Sequence, residues 1–117
     1  MEGSGGKRER VLAQVKWDGG QGQGGVLVEV LKWRHTPLEA TYIPDTGMWQ
    51  KPSELTSLQY RVNGLVNSAT VKRHHLDQPN RTKARKAAVK KMMEDLHMPR
   101  EARTQVWLGL WQAGVRW

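Results

Sequence analysis

The chain has 117 residues, six tryptophans, no cysteine, no phenylalanine and a formal net charge of +8. That length holds one domain with a core but not two, and the missing cysteine excludes disulfides, thiolate catalysis and zinc–cysteine sites, as suits a reducing compartment. No apolar run approaches the roughly 20 residues that span a bilayer, and the polar start Met-Glu-Gly-Ser-Gly-Gly has no signal-like apolar core, so a soluble intracellular protein is expected.

Residues 1–25 read as a flexible, glycine-rich segment ahead of a single domain over 26–117. Within it, 11–17 alternate loosely, as a short strand or a helical turn would. Residues 18–25 then carry five glycines in eight positions, whose ordering entropy breaks regular structure. No Lys-Ser or Lys-Thr follows them, so a linker is favoured over a nucleotide P-loop. The best strand is 26–35, with Val26, Val28 and Val30 on one face and Leu27, Glu29 and Leu31 on the other. Lys32, Trp33 and Arg34 extend it with basic and aromatic character, and Pro37 ends it or places it at an edge. A second strand candidate, 38–43, is closed by the turn Pro44-Asp45-Thr46-Gly47. Residues 50–57 read as a connector or one helical turn started near Ser53. Two strands, 58–62 and 66–72, flank Asn63-Gly64, the preferred type I′ hairpin turn.

Polar residues 77–80, with Pro79, lead into a helix over 81–97. At 100° per residue, Ala84, Ala88, Val89, Met92, Met93 and Leu96 fill one arc. Lys83, Lys86, Lys90 and Lys91 occupy the other with Glu94, and Arg85 falls inside the apolar arc. Pro99 separates a final helix over 100–113, capped by Gly114, whose Val106, Trp107, Leu110 and Trp111 form a sticky face. The order predicts an α+β domain: a mostly antiparallel sheet with helices packed on one face.

Charge is concentrated. Residues 61–100 hold ten Lys and Arg against three Asp and Glu, and 81–91 carry six cations and no acid. A solvated helix face is the ordinary meaning of such a run. Its one-sidedness favours a polyanion-binding surface, where release of condensed counterions drives association. Membrane-surface binding is the competing use, but the Ala and Met face offers no bulky aromatic anchor.

Catalysis has little support, and no cofactor is expected. His35, His74, His75 and His97 form no His-Glu-x-x-His motif, so no metal site is assigned. His74 and His75 instead extend the basic patch Lys72-Arg73. Ser53, Ser57 and Ser68 lack a nucleophile-elbow context. The tryptophans either reflect chance composition or a gene constrained by an overlapping frame, or they stack on bases and bury an interface. No helix presents the base-reading Asn, Gln and Arg of a helix-turn-helix. Basic residues among Ser and Thr on a sheet suit sugar and phosphate contacts, which on A-form RNA recognise shape and 2′-hydroxyls.

In residues 25–49, Val28, Arg34, Glu39-Ala40, Gly47 and Trp49 stand in an order that resembles the tombusvirus RNA-silencing suppressors, dimeric proteins that sequester small double-stranded RNA. Arg61-Val-Asn-Gly64 looks like that family's Arg-aromatic-Arg-Gly hairpin, followed by a Thr70-Val71 strand and a long helix, and Trp17-Asp-Gly-Gly20 is similar to a segment near its N-terminus. The resemblance covers about residues 17–96 and rests on shared order. It implies a homodimer whose sheet continues across the interface, with the sheet face on the RNA backbone and helices behind. Arg34 best matches an RNA-contacting arginine of the first strand, and Arg61 matches a hairpin arginine. The family also has a helical segment before the first strand with two tryptophans that cap the duplex ends. Here only 21–24 fill that gap, Trp33 does not match those tryptophans, and Val30 and Leu31 stand where the family strand carries a basic pair. The resemblance is therefore closest to the short aureusvirus type, which implies binding without length selection.

The sequence thus leads us to expect a non-enzymatic plant-virus suppressor of host RNA silencing. It would bind double-stranded RNA, small interfering RNA included, as a homodimer in the host cytoplasm, with the nucleus as a second compartment and no membrane. Lys32, Arg34, Arg61, Lys72 and Arg73 would contact phosphates from the sheet. Lys83, Lys86 and Lys90 would add field and rim contacts, and Trp107 and Trp111 would pack the core or the dimer. Two rivals are an ordinary double-stranded-RNA-binding domain, which needs an N-terminal helix, and a protein-interaction adaptor working through the Trp-rich C-terminal helix.

Overall fold

Alternation of small branched residues with polar ones drives the central sheet. Residues 10–18, 25–50, 53–73, 80–115 and 117 are described by the computed structural model. Strands β1 (Ala13–Asp18), β2 (Gly25–Pro37), β5 (Glu54–Val62) and β6 (Leu65–Lys72) form a four-stranded sheet in the order β1-β2-β5-β6, antiparallel throughout. Strands β3 (Thr41–Ile43) and β4 (Met48–Gln50) make a separate two-stranded ribbon. Helices α1 (Arg81–Asp95) and α2 (Arg100–Gln112) cover one sheet face, α1 over β5 and β6 and α2 over β1. The expected α+β class with helices on one face is what the chain adopts.

The core lies between the layers. Val28 and Val30 of β2, Leu58 of β5, Val89 and Met92 of α1 and Val106 and Leu110 of α2 are all essentially inaccessible. Full burial of side chains this size stabilises by about 1.5–3 kcal/mol each. The opposite sheet face carries no layer among the described residues.

Capping chemistry sets the helix ends. The Asn80 side chain accepts a hydrogen bond from the Lys83 N–H at 3.0 Å, satisfying one of the free donors of the first turn. Both helices end in the same motif. His97 N–H donates to Glu94 and Met98 N–H to Met93, while Gly114 N–H donates to Trp111 and Val115 N–H to Leu110. That is the Schellman pattern, with the left-handed position taken by Gly114 (φ 71) and by His97 (φ 50). It stops α1 at Asp95, before the expected end at residue 97.

Several expectations shift. The sheet reaches further toward the N-terminus than the boundary at residue 26, because β1 pairs with β2 from Ala13↔Val30 to Asp18↔Gly25. Residues 1–9 and 19–24 of the glycine-rich segment lie outside the described residues. Of the 50–57 connector, Gln50 ends β4 and 54–57 are the first part of β5, in which Thr56 is buried at 1% exposure and Leu58 is fully buried; 51 and 52 lie outside the described residues. Only Thr41–Ile43 of the second strand candidate is extended, and it pairs with β4 around the expected Pro44–Gly47 turn. The Asn63-Gly64 hairpin forms as expected, both residues at positive φ (47 and 87), as a type I′ turn requires. Trp111 does not enter the core. It is 75% exposed, whereas Val106 and Leu110 point inward.

Candidate nucleic-acid interface

A two-residue period sends alternate side chains of each strand to opposite faces. With Val28, Val30, Leu58, Tyr60 and Ala69 committed to the core, their neighbours Lys32, Arg34, Ser57, Gln59, Ser68 and Thr70 fall on the uncovered face. A bulge between Val30 and Lys32 makes this possible. The extra residue, Leu31, is buried outside the main core cluster, and it shifts β2 so that Lys32 and Arg34 land on the open side.

Register then lines these residues into rows across three strands. Lys32 stands opposite Gln59, which stands opposite Ser68. Arg34 stands opposite Ser57 and then Thr70, and Thr36 opposite Leu55 and then Lys72. Ser57 Oγ and Thr70 Oγ1 are 2.9 Å apart. Neighbouring strands lie about 4.8 Å apart and alternate residues along a strand about 6.8 Å apart, so cations and neutral hydroxyl or amide groups form a grid. Lys32, Arg34 and Lys72 are exposed, and no ion pair or side-chain hydrogen bond holds them among the described residues. Lys16 of β1 adds a further exposed cation, and its stem crosses Gly25, where an added Cβ would meet Lys16 Cε at 2.8 Å.

Two expected contacts behave differently. Arg61 is on the open face, yet its guanidinium is 3.4 Å from Glu29 Oε1, directly opposite on β2, so part of its charge is answered within the protein. Arg73 follows the alternation to the helix side. Its Nε is buried, its backbone accepts from Ser53 Oγ and donates to the Glu54 carbonyl, and its charge acts on the Glu54 carboxylate. It joins the other sheet contacts in sequence but not in space. Lys83, Lys86 and Lys90 are exposed on α1, whose Ala88, Val89, Met92 and Met93 face the sheet, so the sheet separates them from Lys32 and Arg34. His74 and His75 lie outside the described residues.

Behind the open face, a polar cluster fixes α1 to the strands. Arg85 Nε–H donates to His35 Nε2 at 2.9 Å. A neutral imidazole must then carry its proton on Nδ1, which lies 2.9 Å from Thr56 Oγ1 and 3.3 Å from Glu54 Oε1. Burial, with the Arg85 and Arg81 cations beside it, pushes the His35 pKa below its ordinary value against the pull of Glu54. The hydrogen-bonded Arg81 guanidinium, with Nε 3.3 Å and Nη2 3.2 Å from the Glu54 oxygens, holds that carboxyl below the usual carboxylate range. Arg85, the cation inside the apolar arc, is also 5.8 Å from the Trp33 ring, whose Nε1–H donates to the Arg85 carbonyl at 3.3 Å. Trp33 in turn meets Trp117 edge-on at 5.2 Å, and Trp107 lies 5.8 Å from Trp117. These rings are packed between the layers and do not face the open side.

No known family model, curated protein or solved structure matches the chain. Its chemistry is therefore read from its own geometry. Among the described residues no group of three or more His, Asp or Glu is placed to hold a metal, and no helix is long and apolar enough to cross a membrane.

Sequence reasoning missed Ser57, Gln59 and Lys16. The signal for the first two was the alternation Leu55, Ser57, Gln59, Arg61 against Thr56, Leu58, Tyr60, obscured by reading Ser53 as a helix start.

Proposed function

We propose that the protein binds double-stranded RNA through the open sheet face, without catalysis or cofactor, and so sequesters it from host RNA silencing. What carries this reading is the row structure. Cations at Lys32, Arg34 and Lys72 alternate with Gln59, Ser57, Thr70 and Ser68 across three registered strands. Cations on such a grid neutralise phosphates, and hydroxyl and amide groups beside them can donate to and accept from 2′-hydroxyls. The wide, shallow minor groove of A-form RNA displays those hydroxyls, and it suits a broad sheet better than a protruding helix. Contacts of this kind recognise the shape and 2′-hydroxyls of A-form RNA, so binding should be independent of sequence.

The resemblance to the tombusvirus and aureusvirus suppressors adds the homodimer and the silencing role to this proposal. Edge strand β6 is the edge we assign to the continued sheet, since its Leu65 and Val66 are 73% and 59% exposed. Duplexes of about 20 and about 50 base pairs, single-stranded RNA and duplex DNA, compared by gel shift, test the reading. Both RNA duplexes should bind alike and more tightly than the other two, with steep weakening by salt. Equal affinity for all four would reduce the face to a generic polyanion surface.

A second reading has one observation in its favour. Trp111 and Leu108 are exposed together on the outer side of α2, which suits a protein-binding adaptor. Removing residues 100–117 would strip Ala102, Val106 and Leu110 from the core, so the test is Trp111→Ala. Loss of silencing suppression with RNA affinity intact would favour the adaptor.

A further inference from the structure

The lysines of α1 cannot serve as a rim for a duplex lying on the open face. Ala88, Val89, Met92 and Met93 turn inward, and Lys83, Lys86 and Lys90 climb the outward flank at i, i+3 and i+7. A helix with its side chains is about 10–12 Å across, and the sheet lies beyond it. The two basic surfaces are thus separated by more than the roughly 8 Å Debye length of physiological salt. A duplex is too stiff to wrap from one to the other, as DNA persists over about 150 base pairs.

The flank has the features of a site in its own right. Lys83, Lys86 and Lys90 line an open groove of about 410 Å³ together with Asn80, Thr82 and Ala87. No acidic residue occurs from 81 to 93, and Glu94, one turn beyond Lys90 on the same arc, is a single acid against the three lysines. Arg81 is bound to Glu54, and Arg85 to His35 and Trp33, so these cations face elsewhere. Lys86 Nζ also lies 5.8 Å from the Trp117 ring, a contact that steadies the middle of the stripe. The capped N-terminus of α1 opens into the same groove at Asn80, and its dipole adds partial positive charge there.

We infer that this stripe is a second polyanion site, which takes the phosphate backbone of a second RNA duplex and lets the protein bridge two duplexes. The inference rests on the open face being the first duplex site. The two sites differ in chemistry. The stripe holds lysines, which act as flexible point charges, with few hydroxyl or amide groups between them, so it takes RNA and DNA duplexes alike.

Energy transfer between donor-labelled and acceptor-labelled RNA duplexes of about 20 base pairs, mixed with the full chain, reads bridging directly. Wild-type protein should give transfer at low salt when duplex is in excess. Lys83→Gln/Lys86→Gln/Lys90→Gln should abolish it while one-duplex affinity stays within about threefold. Gln is a good helix former, so α1 should remain folded. The corresponding triple Arg variant should restore transfer. Replacing the acceptor RNA with DNA duplex should preserve transfer. Binding of one duplex without transfer at any ratio overturns the inference and leaves the open-face reading standing, and transfer that survives the Gln variant does the same. No duplex binding at all overturns the open-face reading itself.

Discussion

The open sheet face and the outer flank of α1 carry the same kind of charge but are built to different standards of precision. On the sheet, backbone register fixes Lys32 beside Gln59 and Arg34 beside Ser57, with Ser68 and Thr70 next in the same rows. On the helix, Lys83, Lys86 and Lys90 share a stripe without interleaved polar partners from neighbouring elements. Equal charge therefore does not mean equal selectivity. On the binding proposed above, the sheet would tell a 2′-hydroxyl from its absence, while the helix would sense only phosphate density.

The bluntest way to break the comparison is to remove the layer both surfaces share. Leu58→Ala empties a fully buried position in β5 and should cost about 2–5 kcal/mol in denaturant unfolding, weakening both sites together. A variant that kept full stability would show that the core does not couple them.

Lys32→Ala/Arg34→Ala should weaken duplex RNA binding about 10–100-fold and reduce the slope of log K against log salt by about two, measured by fluorescence anisotropy. Ser57→Val/Thr70→Val sharpens the comparison further. It removes the hydroxyl pair 2.9 Å apart without changing charge. RNA affinity should fall about fivefold, with DNA affinity and salt slope unmoved. An equal loss on DNA would mean that the hydroxyls hold the sheet and do not read the ligand.

The smallest effect concerns the cluster that fastens α1 behind the sheet. His35 has a folded pKa below its ordinary 6.5, so the unfolded chain takes up a proton first. Its contribution is complete above that value and is lost as pH falls through the folded pKa. Glu54, also depressed, adds a second loss at more acid pH, below its ordinary 4.5. The melting temperature should fall between about pH 7 and pH 5, and His35→Gln should flatten that slope. A wild-type slope unchanged by His35→Gln would assign the transition to other groups.

Much of the scaffold was legible in the sequence, because it follows from short-range rules. Asn63-Gly64 dictates a type I′ turn, Val26, Val28 and Val30 alternate, and Ala88, Val89, Met92 and Met93 recur at helical spacing. The site was only half legible. Lys32 and Arg34 reach the open face through a bulge at Leu31 that no local pattern announces. Arg73 follows Lys72 in the chain, yet alternation sends it to the opposite side. Trp111 shares its helical arc with Leu110 but sits just beyond the edge of the contact between α2 and the sheet, so burial ends between them. For the bulge and for Trp111 the deciding fact is a neighbour distant in sequence, whereas Arg73 is decided by the strand's own alternation.

Amide and side-chain chemical-shift mapping of the protein against a short RNA duplex tests the central claim most directly, because it reports which face is touched. At one duplex per protein the largest changes should fall on Lys32, Arg34, Ser57, Gln59, Thr70 and Lys72, in the rows set by strand register. Changes confined to α1 and α2, with these strand residues unmoved, would contradict the open face as the RNA-binding surface.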